Sequence, residues 1–252
     1  MPWVETASPA FTARHDAAEL DDVVALLELL ERTREALAGA LPVRPEGIGV
    51  VVHSSPAQLD VAQPPLVLAR RRAHPAARRY IAGWCTASEI HVLAPRLLAA
   101  RASGAPGSRE MLELVPATLY CRVAIGASNR RLPPPHRPRR LLRARRWAWL
   151  HTGAASWLSG QAEHARPAIA RRLHEGPKPA FPPAAADALL LGPTLVDPLA
   201  REEGERALLS LLLDPRPGRP RQALERAFGG RALRATEGTW RAQLARIARG
   251  HG

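Results

Sequence analysis

The chain has 252 residues, 46% of them hydrophobic, which suits one large domain or two small ones with a sizeable core. It carries a net charge of +13, and no apolar run approaches the ~20 residues needed to span a bilayer. Cys85 and Cys121 stand far apart without C-x-x-C spacing, which excludes a disulfide framework and a zinc ribbon.

Aromatic residues make up 4% of the chain, so leucine, alanine and valine must build most of the core. The 25 prolines and 18 glycines imply short elements with firm breaks. A pI of about 11.4 invites a polyanionic partner. Against this, Lys178 is the only lysine, and abundant arginine, alanine and proline together match the codon bias of a GC-rich genome. A solvated arginine surface is then the simpler reading. The first residues lack a basic stretch followed by an apolar core, so the expectation is a soluble, cytoplasmic protein without a signal peptide.

Residues 11–15 alternate as a short strand does. Asp16 offers an N-cap for a long helix in which Leu20, Val23, Leu27, Leu30 and Leu37 recur at helical spacing, ending near Pro42. Residues 48–53 are β-branched and read as a buried strand, followed by a turn or short helix at Ser54, Ser55 and Pro56. Residues 64–79 are arginine-rich, broken at Pro75, and read as a loose helix pair or a mobile surface. Residues 89–93 form a third strand closed by Pro95.

Ser108 is placed to cap a helix over 109–127, which Pro116 should kink or split. Residues 129–140 are rich in proline and arginine and cannot be regular helix. A further helix spans about 141–158, and helical segments follow at about 161–174, 184–191, 194–201, 204–213, 221–228 and 237–249. Strands therefore crowd the first hundred residues and helices fill the rest. This suggests two parts: 1–128, an α+β unit, and 129–252, a helical unit.

Trp149-Leu150-His151-Thr152-Gly153-Ala154-Ala155 resembles the W-L-x-E-G-x-A segment of gluzincin metallopeptidases of the peptidase MA type. The strand at Val50 to Ser55, the proline-closed strand at 89–95, and the tail segments Ala223 to Leu233 and Glu237 to Leu244 resemble that family in the same order. The resemblance implies a gluzincin-like α+β fold. It has a small mixed sheet with long helices in the N-terminal half and a mainly helical C-terminal half.

A gluzincin binds zinc through H-E-x-x-H, whose two histidines at i and i+4 share a helix face, and through a downstream glutamate. The candidate helix here contains no histidine. The register that best fits the family's flanks puts Ala117 and Cys121 at the histidine positions, Thr118 at the catalytic glutamate and Thr152 at the third ligand. The resemblance thus implies a scaffold without its metal: no catalytic residue, no metal ligand and no cofactor. Cys121 beside Arg122 invites a lowered thiol pKa, but an apolar helix face is the commoner setting for cysteine.

Two other readings compete. His151, with His164 one helix later, offers starting points for relocated ligands in a divergent metallopeptidase. Arg137, Arg139, Arg140, Arg143 and Arg146 gather positive charge in one segment. On a helix Arg139, Arg143 and Arg146 would share a face, with Trp147 and Trp149 following, as for nucleic acid or another polyanion. Burial of both tryptophans in the core is the competing account. The favoured expectation is a catalytically inactive protein whose residual cleft holds a peptide or partner protein.

Overall fold

The computed structural model describes residues 3–132, 144–214 and 218–250. Five strands form one mixed sheet in the order β1-β2-β3-β5-β4. β1 (Trp3–Ala7) runs antiparallel to β2 (Phe11–Asp16), which pairs in parallel with β3 (Ile48–His53). β5 (Glu89–Leu93) lies parallel on the far side of β3, and β4 (Gly83–Cys85) closes that edge antiparallel to β5. In β2 the buried residues Phe11, Ala13 and His15 alternate with exposed Thr12 and Arg14, as expected for a strand with one covered face.

The first helix, α1 (Leu20–Ala36), follows a short 3-10 turn that Asp16 caps by accepting from the Ala18 N–H at 3.1 Å. Val23, Leu26, Leu27 and Leu30 form its buried stripe, whereas Leu20, in the first turn, is exposed. α2 (Pro56–Ala62), α3 (Pro64–Arg72), α4 (Pro75–Arg78) and α5 (Pro95–Ala100) each start with proline, where the missing N–H would have no intrahelical partner. Ser55 caps α2 through the Gln58 N–H at 3.2 Å. The arginine-rich stretch 64–79 is the helix pair α3 and α4.

The helix expected over 109–127 is two helices, α6 (Ser108–Glu113) and α7 (Val115–Ser128). The break falls at Leu114, so Pro116 sits in the first turn of α7 and removes no helical hydrogen bond. Gly107, at φ 76°, is the N-cap of α6, a backbone conformation that favours glycine. Ser108 is instead the first helical residue, and its Oγ accepts from the Ser103 N–H at 3.0 Å.

Helices complete the described chain: α8 (Ala148–Leu158), α9 (Arg166–Glu175), α10 (Ala188–Leu191), α11 (Pro193–Glu202), α12 (Glu205–Leu213), α13 (Pro220–Ala227) and α14 (Leu233–Arg249). α7 lies between α1, the β4 edge and α8; α8 packs in turn on α10 and α11. α9 joins α4 to α14. One hydrophobic cluster therefore runs from Ala10 to Ile247. The boundary near residues 128 and 129 marks where the strand-bearing part ends, while packing continues across it. Among the described residues no helix is long and apolar enough to cross a membrane.

Candidate functional site

The contact between α7 and α8 positions the site. Both helices are rich in small and apolar residues, which lets them approach closely. Gly153 in α8 lies against Gly192 at the start of α11; a Cβ there would sit 2.6 Å from the Gly192 carbonyl carbon. The glycine of the W-L-x-E-G-like segment is thus a packing residue. Trp149 and Trp147 are both buried, their ring centroids 6.3 Å apart.

Between α7, α8, the β4 edge, α3 and the residues leading into α10 lies a cavity of about 1370 Å³. From α7 it receives Val115, Thr118, Leu119 and Arg122, one helical stripe at i, i+3, i+4 and i+7. From α8 it receives Ala148, His151 and Thr152. Residues 81–84 and Thr86 form the sheet side, and among the described residues β4 has a strand partner on its other side only.

Thr118 and Thr152 therefore line one cavity. Ala117 and Cys121 do not line it. They are buried on other sides of α7, at 1% and 0% exposure. The i, i+4 pair that meets the cavity is Thr118 and Arg122.

The hydroxyl of Thr118 lies 3.0 Å from the Leu114 carbonyl oxygen and 2.8 Å from Ser159 Oγ, so helix and neighbour occupy it. No histidine or carboxylate touches it among the described residues. Cys121 is a core thiol: burial pushes its pKa up to about 12, the reverse of an activated nucleophile. Burial also raises the Cys85 thiol in β4, partly countered by the Arg122 charge.

His151 is buried, and its Nε2 donates to the Arg122 carbonyl oxygen at 3.2 Å, which fixes the proton on that nitrogen. Burial and then the Arg122 charge lower its pKa to about 3, against the opposing pull of that hydrogen bond. The ring is accordingly neutral at pH 7. His164 does not line the cavity. A second histidine pair, His53 and His91, meets within the sheet at 3.2 Å, with Glu89 3.7 Å from His91. Among the described residues, no group of three or more histidine, cysteine, aspartate or glutamate side chains could hold a metal ion.

Two polar side chains at the cavity are incompletely satisfied. Arg122 makes no ion pair or side-chain hydrogen bond among the described residues, and its Nε is buried without a partner. Gln161 donates from Nε2 to the Met111 carbonyl at 2.7 Å, but its Oε1 is buried and unpartnered. Sequence reasoning missed both, because neither belongs to the family motif. Of the arginine segment, Arg137, Arg139, Arg140 and Arg143 lie outside the described residues, and Arg146 is exposed.

No known protein family, curated protein or solved structure matches this chain.

Proposed function

We propose that this chain is a non-catalytic binding protein on a gluzincin-like body, working in the cytoplasm, which holds a peptide in extended form along the outer edge of β4. The observation that carries the reading is the convergence of Thr118, Arg122 and Thr152 on one cavity beside an edge strand. A helix pair packed beside a sheet edge supports the gluzincin-like reading. The side chains at the ligand positions are two hydroxyls and a cation, a set that does not hold zinc.

A peptide can recognise such a site without metal. An edge strand presents main-chain N–H and C=O groups that an added strand can pair with, while the walls select side chains. Here the walls are Trp84, Leu119, Trp147 and Leu189, all buried or half-buried. The cavity also exceeds the ~300–1,000 Å³ usual for small-molecule pockets, which favours an oligopeptide over a single metabolite.

The test is hydrogen exchange of residues 81–86 with and without a blocked Ser-Val-Glu-Leu-Ser pentapeptide, alongside metal counting after equilibration with zinc. Slower exchange on adding the peptide, without stoichiometric bound zinc, is the expected result. Chelator-sensitive stoichiometric zinc, or unchanged exchange at saturating peptide, would overturn the reading.

A further inference from the structure

We propose that the peptide carries an acidic side chain and that Arg122 is the residue that anchors its carboxylate. The inference rests on the peptide-binding reading above and adds the chemical class of the ligand.

Its basis is an imbalance of charge. The described lining of the cavity contains five arginines, Arg72, Arg122, Arg130, Arg131 and Arg145, and no aspartate or glutamate. The segments outside the described residues contain no aspartate or glutamate either. Elsewhere half-buried Arg79 and Arg101 donate to each other's main-chain carbonyls, and other sequestered arginines are matched with acids. Arg172 pairs with Asp187, Arg70 with Asp60, and Arg34 with Glu46. Among the described residues the Arg122 side chain has neither kind of partner.

A partly buried guanidinium without a counter-ion is costly, because part of its hydration is lost and nothing replaces it. A ligand carboxylate would supply what is missing, with the two-pronged geometry a guanidinium favours. The other four arginines are exposed and would attract an anion towards the opening. Arg122, half-way along α7, is the one that lies beside the apolar wall of Leu119 and Trp84.

Gln161 separates a peptide from other amphipathic anions. Its buried Oε1 has no donor, and relaxation around a bound amide would give it one. A peptide brings both an acid and amide N–H groups, whereas a fatty acid brings only the acid.

The experiment is calorimetric titration of the full chain with two blocked pentapeptides, Ser-Val-Glu-Leu-Ser and Ser-Val-Gln-Leu-Ser, and with dodecanoate. The glutamate peptide should bind about tenfold more tightly than its glutamine twin, the ratio expected of one charge-assisted hydrogen bond. Arg122→Gln should erase that ratio, and Arg122→Lys should keep part of it. Circular dichroism establishes that both variants fold; the His151 bond uses the Arg122 main chain and survives either change. Equal binding of the two peptides by the wild-type chain would overturn the acidic anchor and leave peptide binding standing. Failure of both peptides to bind would overturn both proposals, and Arg122-dependent binding of dodecanoate alone would assign the site to an acyl carboxylate instead.

Discussion

His151 and Arg122 are joined by a hydrogen bond from imidazole Nε2 to main-chain oxygen, 3.2 Å long, which ties α8 to α7 at the cavity wall. Nε2–H can donate from a neutral or a charged ring; burial, and then the Arg122 charge, hold the pKa at about 3 and keep the ring neutral. The unfolded chain binds that proton near the ordinary histidine pKa of about 6.5. Between these values the unfolded state carries more protons, so stability rises with pH there and is complete above the unfolded value. His53, lowered to about 4 by burial and by His91, adds in the same direction.

Urea midpoints measured from pH 7.5 to pH 4.5 should therefore fall steadily as the solution is acidified. His151→Gln can still donate to the Arg122 carbonyl but does not titrate. It should flatten the slope, removing on the order of 1 kcal/mol of loss per pH unit below pH 6. An unchanged slope in this variant would assign the acid sensitivity to other groups.

Thr118 and Arg122 are the i, i+4 pair of α7 that lines the cavity, which predicts which positions can be converted to a metal site. Thr118→His, Arg122→His and Thr152→Glu together should give stoichiometric zinc that a chelator removes, since all three positions line the cavity. Ala117→His, Cys121→His and Thr152→Glu should give none. Ala117 and Cys121 have no free space around them, and larger side chains there cost about 1–3 kcal/mol each. The two variants, read by metal content and melting temperature, show directly which face of α7 meets the cavity.

The sequence did not reveal which face of α7 meets the cavity, for a physical reason. In α7, eleven residues are buried, from Val115 round to Gly126, so no polar stripe tells one face from another. A pattern of this kind locates a buried helix but not its rotation. β2, β3 and β5 were readable because each has enough β-branched or alternating residues to declare itself. β4 has three residues and exists because β5 offers it a partner; β1 likewise depends on β2. Such strands are products of long-range pairing and leave little local signal. Thr152 and Thr118 were found through motif resemblance, whereas Arg122 and Gln161 emerge only when their missing partners are seen in three dimensions.

Arg172 and Asp187 form a buried pair that fixes α9 against the start of α10, with Arg172 Nη2 2.8 Å from Asp187 Oδ2. Arg172 Nη1 also donates to the Pro177 carbonyl at 3.0 Å. Asp187→Ala leaves this guanidinium buried without its counter-ion and should cost about 3–5 kcal/mol in urea unfolding. The double change Arg172→Met with Asp187→Leu removes both charges and should recover much of that loss. If the double variant is as unstable as the single one, the pair matters through hydrogen bonding to the loop and not through charge balance.

Gly153 offers the sharpest steric test of how the site is built. Its missing side chain lets α8 approach Gly192, where a Cβ would meet three backbone atoms at 2.6 to 2.9 Å. Backbone cannot yield as the end of a flexible side chain can, so α8 and α11 would have to separate. Helix propensity alone favours Gly153→Ala by up to about 1 kcal/mol. Overpacking in a core opposes it by about 1–3 kcal/mol, and here the contact is with backbone, so the net effect should be destabilising. Because α8 also carries Thr152 and His151, the same displacement should weaken peptide binding at the cavity. Thermal melting together with titration of the glutamate pentapeptide checks both effects. A variant that melts at or above the wild-type temperature would mean that α8 and α11 are not in the close contact described.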